Sequence, residues 1–93
     1  MEALVITDFG VLPFILPAPI WEGNDDCRFG VTLRAIYVSP TQRRVVLQVN
    51  VTDENRTEFR LIQNPRHLLD LGDKYPVVRE ALERVDSGER IIL

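Results

Sequence analysis

The sequence predicts an α+β fold in two layers. A small antiparallel sheet, a three-stranded meander plus N- and C-terminal short strands, is covered on one face by a C-terminal helix. Three observations predict it. Apolar and polar residues alternate from Phe29 to Leu61, the apolar spacing changes to three and four after Asn64-Pro65, and 93 residues leave room for one core.

The elements follow in chain order. Leu4-Val5-Ile6-Thr7 reads as a short strand closed by Asp8-Phe9-Gly10. Residues 11–21 are apolar but cut by Pro13, Pro17 and Pro19, which remove backbone donors and hold the chain extended. Such an arm can edge a sheet or wrap over a core, and it can be neither a central strand nor a helix. Glu22-Gly23-Asn24-Asp25-Asp26 carries turn residues and reads as a loop.

Phe29, Val31, Leu33, Ala35 and Tyr37 then alternate with Gly30, Thr32 and Arg34, the mark of a strand with one buried face. Ser39-Pro40-Thr41-Gln42 supplies a turn. Val45, Leu47, Val49 and Val51 carry the second strand, Asp53-Glu54-Asn55-Arg56 turns again, and Phe59 and Leu61 point inward from the third. Asn64-Pro65 starts a short helix over 65–71, with Gly72 as its stop. Asp73 caps a second helix whose Tyr75, Val78, Ala81, Leu82 and Val85 share one face. Gly88 ends it, and Ile91-Ile92-Leu93 forms a final strand or a docking tail.

Composition limits the function classes. The chain is 45% hydrophobic and 27% charged, which excludes a disordered segment. Its longest apolar stretch is too short and too proline-rich to span a membrane, and the acidic opening Met1-Glu2 does not resemble a secretory signal. One cysteine, Cys27, cannot build an internal disulfide, which fits a reducing, cytoplasmic setting. The net charge of −3 is uneven: −5 over residues 1–27, +4 over 28–66 and −2 over 67–93. An acidic total disfavours nonspecific nucleic-acid binding, while the basic middle leaves a local anion-binding surface as the alternative.

No reaction is named by any motif. His67 is the sole histidine, and no spacing brings it to Cys27, Ser39 or Ser87 as a nucleophile. Cys27 stands beside Arg28, but Asp25 and Asp26 oppose activation of its thiol. One Cys and one His cannot make a structural zinc site, and Asp25-Asp26 and Asp53-Glu54 lack calcium-loop spacing. No glycine-rich phosphate cradle is present. The expectation is therefore a non-enzyme with no cofactor and no metal.

Two surfaces remain. The apolar arm offers Phe14, Ile15, Leu16, Ile20 and Trp21 to a protein partner or a second copy, against the plainer reading of a wrap over its own core. The polar face of the meander offers Arg34, Arg44 and Arg60 to phosphate or nucleic acid, against the plainer reading of a solvated face with cross-strand charge pairs. The expected function is a small non-catalytic protein–protein interaction module, an accessory subunit or regulator. Nucleic-acid or phosphate binding through the arginine face is the alternative, and a small enzyme ranks third.

Overall fold

The computed structural model describes residues 1–27, 30–39 and 42–92, with backbone alone for residues 27 and 86–92. Six strands precede two helices: β1 (Glu2–Thr7), β2 (Gly10–Ile15), β3 (Trp21–Cys27), β4 (Val31–Val38), β5 (Val45–Val51), β6 (Arg56–Leu61), α1 (Pro65–Lys74) and α2 (Pro76–Ile92). They form one sheet in the order β2-β1-β6-β5-β4-β3. This corrects the expected architecture. The sheet is not a meander with short flanking strands but six strands wide, and it is mixed, because β1 runs parallel to β6.

Three segments account for the correction. The first is residues 22–26, expected as a loop. Gly, Asn and Asp are poor strand formers, yet these residues form β3, an edge strand with a bulge between Glu22 and Asp25. At an edge, one side of the strand faces water and the carboxylates need no burial. Gly23 has a packing reason as well: a Cβ there would lie 2.8 Å from the Trp21 ring.

The second is the proline-broken arm, whose first half is β2. Met1 and Leu16 exchange two backbone hydrogen bonds, Met1 N donating to Leu16 O at 3.0 Å and Leu16 N to Met1 O at 2.6 Å. In an antiparallel ladder bonded pairs alternate with unbonded ones. Val11, Pro13 and Ile15 therefore turn their backbone groups to the open edge, where the missing amide of Pro13 costs β1 nothing.

The third is the C-terminus. Gly88, Ile91 and Ile92 all lie inside α2, so no final strand forms from them, and Leu93 is outside the described residues. Gly72 likewise sits inside α1 and is buried there, so it does not stop that helix. α1 begins as its sequence dictates, Asn64 accepting from the Arg66 amide at 2.9 Å with Pro65 in the first turn. It ends because Pro76 drives Tyr75 out of helical geometry, to φ −124° and ψ 89°. Asp73 therefore caps nothing; Val78 N donates to Tyr75 O at the start of α2.

The sheet buries both faces. On one side Tyr75, Val78, Ala81, Leu82 and Val85 pack on Leu33, Ile36, Val38, Val45 and Val49, with Leu68 and Leu71 of α1 at the margin. The other side holds a second core of Ala3, Val5, Leu16, Ala35, Tyr37 and Val46, with Phe14, Phe59 and Leu61 beside it. A bulge at Arg34 makes this two-sidedness. Leu33 faces the helices, and past the bulge Ala35 and Tyr37 turn to the opposite face, which breaks the single buried face expected from Phe29 to Tyr37. Phe29 and the Pro40-Thr41 part of the expected turn lie outside the described residues.

Among the described residues no helix joins the second core. The β1–β2 hairpin does. It is paired to β6 at Val5–Phe59 and Ile6–Arg60, and from there its Met1–Leu16 end curls over the sheet until Leu16 joins Tyr37 and Val46 and Phe14 lies under Arg44, 5.8 Å from ring centroid to guanidinium carbon. Residues 16–20 then need only a short path to β3, where Ile20 N bonds Ile36 O at 2.8 Å. Leu16 is 5% exposed, so Leu16→Ala should cost about 2–4 kcal/mol by urea denaturation, as large-to-small changes in closed cores do. A cost near zero would mean that the hairpin does not close the second core.

Candidate interaction surface

The hairpin that seals the second core has a second face of its own. In its register Glu2 opposes Ile15, Leu4 opposes Pro13 and Ile6 opposes Val11, and these six side chains point away from the core that holds Ala3, Val5 and Phe14. Leu4 is 66% exposed, Ile6 38%, Val11 58% and Ile15 86%. At the turn Phe9 is 87% exposed. The turn itself is firm: Thr7 Oγ1 donates to Gly10 O at 2.8 Å and accepts from Phe9 N at 3.1 Å, Gly10 takes φ 109°, and Asp8 N donates to Gln63 Oε1. A rigid turn thus holds a large aromatic ring in water beside a continuous apolar stripe.

The arm residues expected to bind a partner are divided between the two cores and the surface. Leu16 is buried in the second core and Phe14 packs against it. Ile20 and Trp21 pack against the helix-side core, with Trp21 5.1 Å from the Tyr75 ring. Tyr75 in turn donates to Asp25 Oδ2 at 2.5 Å, tying the helix junction to β3. Ile15 alone of the five is exposed. Leu4, Ile6, Phe9 and Val11 escaped sequence reasoning because a strand that is apolar on both faces does not reveal which face is covered. The partial signal was Leu4-Val5-Ile6, where three apolar residues in a row leave at least one without a core position.

The three arginines do not share a face. Arg60 opposes Leu47 on the helix side of the sheet. Arg44 lies over Phe14 on the other side. Arg34, at the bulge, opens onto a shallow depression with Glu22, Asn24 and Gln48. Glu58 accepts from both Arg56 and Arg60, with the Arg56 Nε bond at 2.9 Å and the Arg60 Nε bond at 3.0 Å, and Arg56 also pairs with Glu54. These bonds, Arg60's foremost, hold the Glu58 carboxyl below its ordinary value. Burial, with help from the charge of Glu22, pushes the Tyr37 phenol up, and its hydroxyl donates to Gln48 Oε1 at 2.7 Å.

Other chemistry is sparse. His67 is exposed in the first turn of α1; the side chains of Cys27 and Ser87 lie outside the described residues. Among the described residues no three of His, Cys, Asp and Glu gather as a metal site, and no helix is long and apolar enough to cross a membrane. A groove of about 600 Å³ runs between α1, α2 and residues 62–65. Ile62, Leu68, Leu69 and Leu82 line it, and its rim arginines are engaged, Arg79 with Asp73 and Gly72 O, and Arg43 with Leu82 O. The sequence matches no protein-family model and no curated protein, and the fold matches no solved structure.

The depressed Glu58 pKa has a definite sign. A carboxyl whose folded pKa lies below its unfolded value adds stability above the unfolded pKa, near 4.3, and that stability is lost as pH falls through the folded pKa. Urea midpoints measured from about pH 6 to about pH 2.5 should fall more steeply for the wild type than for Glu58→Gln. Parallel profiles would show that the two arginine bonds do not stabilise the carboxylate.

Proposed function

We propose that this chain is a non-catalytic protein–protein interaction module, an accessory subunit or regulator of the cytoplasm, and that it binds through the outer face of the β1–β2 hairpin. The supporting observation is the stripe of Leu4, Ile6, Val11 and Ile15, flanked by Phe9, which the fold leaves in water although both faces of the sheet are otherwise used for cores. Contiguous exposed apolar surface of this kind marks interaction sites, while single exposed apolar residues do not. Aromatic and aliphatic anchors with few charges between them are also what the centre of a protein interface contains.

Strand addition at β2 is a poor route for this binding. Pro13 faces the open edge without an amide, in the middle of the positions that would pair with an added strand. The face and not the edge is the docking surface.

The reading is tested by nuclease-treated affinity capture from the native source, comparing wild type with the double variant Leu4→Glu, Ile15→Lys. The wild type should retain a protein, whether another chain or a copy of itself, in stoichiometric amount and the variant should lose at least about 90% of it, a change of roughly 1.4 kcal/mol or more. Both should melt at closely similar temperatures, since the substituted side chains are exposed. Equal capture by both would remove the hairpin from the binding surface.

A further inference from the structure

We infer that the occupant of the hairpin's outer face is a second copy of this chain, the two hairpins stacking face to face about a two-fold axis. The inference deepens the interaction reading above and rests on it. Its first support is the layout of charge. The stripe has an acid at one end, Glu2, and a base at the other, because Ile6 stands beside Arg60 across the parallel junction with β6. Leu4, Ile6, Pro13, Val11 and Ile15 lie between them. Four residues of strand separate Glu2 from Ile6, about 14 Å. A two-fold contact is self-complementary only when each feature meets its counterpart on the same surface. An axis crossing the strands near Leu4 and Pro13 sets the hairpins antiparallel, and it brings Glu2 of each copy beside Arg60 of the other.

The state of Arg60 agrees. Its carboxylate partner, Glu58, is shared with Arg56, and its side chain is 44% exposed, so the guanidinium retains donors for a second acid. The second support is shape. The hairpin packs into the second core, none of its described residues joins the helix-side core, and its outer side chains stand in water. The third support is Pro13, which disfavours the competing edge-to-edge dimer.

The area limits the affinity. A patch of a few hundred Å² per copy makes an interface of roughly 1,000 Å² in total, the small end of specific association. The dimer should accordingly dissociate in the range of about 1–100 µM.

Sedimentation velocity from about 1 to about 500 µM brackets that range. The wild type should move from 10.7 kDa toward twice that mass. Leu4→Glu and Ile15→Lys should each remain monomeric, with far-UV dichroism and melting temperature kept. Glu2→Arg and Arg60→Glu should each weaken the dimer several-fold, and the two together should restore it, a rescue that a purely structural role for either residue would not produce. A wild type monomeric throughout overturns the inference, as does a dimer indifferent to Leu4→Glu and Ile15→Lys. A dimer lost with those variants but not rescued by the double exchange overturns the two-fold arrangement. If the wild type is monomeric and a different protein is captured through the hairpin, only the identity of the occupant is wrong. If it is monomeric and captures nothing, the interaction reading falls with it.

Discussion

The structure depends on one junction, the short parallel pairing of β1 with β6 at Val5–Phe59 and Ile6–Arg60. Every other neighbouring pair in the sheet is antiparallel and longer. Because the junction is brief, the β1–β2 hairpin is free to swing its far end across the sheet, and hydrophobic burial determines where it comes to rest. Leu16, Ala3 and Val5 leave water against Tyr37, Ala35 and Val46. At roughly 25 cal/mol per Å² of apolar surface removed from water, closing that face favours this position of the hairpin. The same movement has a cost. A two-stranded hairpin has two faces, and burying one against the sheet presents the other to solvent.

Among the described residues the two helices cover one side of the sheet, the hairpin covers the other, and the hairpin's outer side chains stand in water. The exposed stripe is thus a consequence of how the second core is closed. Pro13 at the outward-facing edge position disfavours addition of a further strand to β2. The electrostatic layout belongs to the same economy. Arg56, Glu58 and Arg60 lie along one side of β6, and Arg60 stands where the hairpin departs.

Much of the local structure was legible in the sequence. The helix start at Asn64-Pro65 follows from capping chemistry, and the apolar stripe from Tyr75 to Val85 follows from helical spacing, because both signals lie within a few residues of each other. The extent of the sheet was not legible. β3 is written in Gly, Asn and Asp, and only its place beside β4, with Tyr75 reaching over to Asp25, makes it a strand. Gly72 and Gly88 resembled helix stops, yet neither ends its helix; in the case of α1 the terminator is Pro76. The bulge at Arg34 is likewise silent in the pattern, and it sends Leu33 and Ala35 to opposite faces.

The candidate site was legible only in part, for the same reason. The proline-broken arm was visibly apolar, but which of its residues reach water depends on the curl of the hairpin, a contact between residues some twenty to thirty positions apart. That curl is tested most directly by nuclear Overhauser effects at Leu16 in a methyl-labelled sample. Strong contacts from the Leu16 methyls to the Tyr37 ring and the Val46 methyls are predicted, with none from Ile15 to either. Leu16 methyls without contact to Tyr37 or Val46 would mean that the hairpin stands away from the sheet, and would contradict both the second core and the exposed face derived from it.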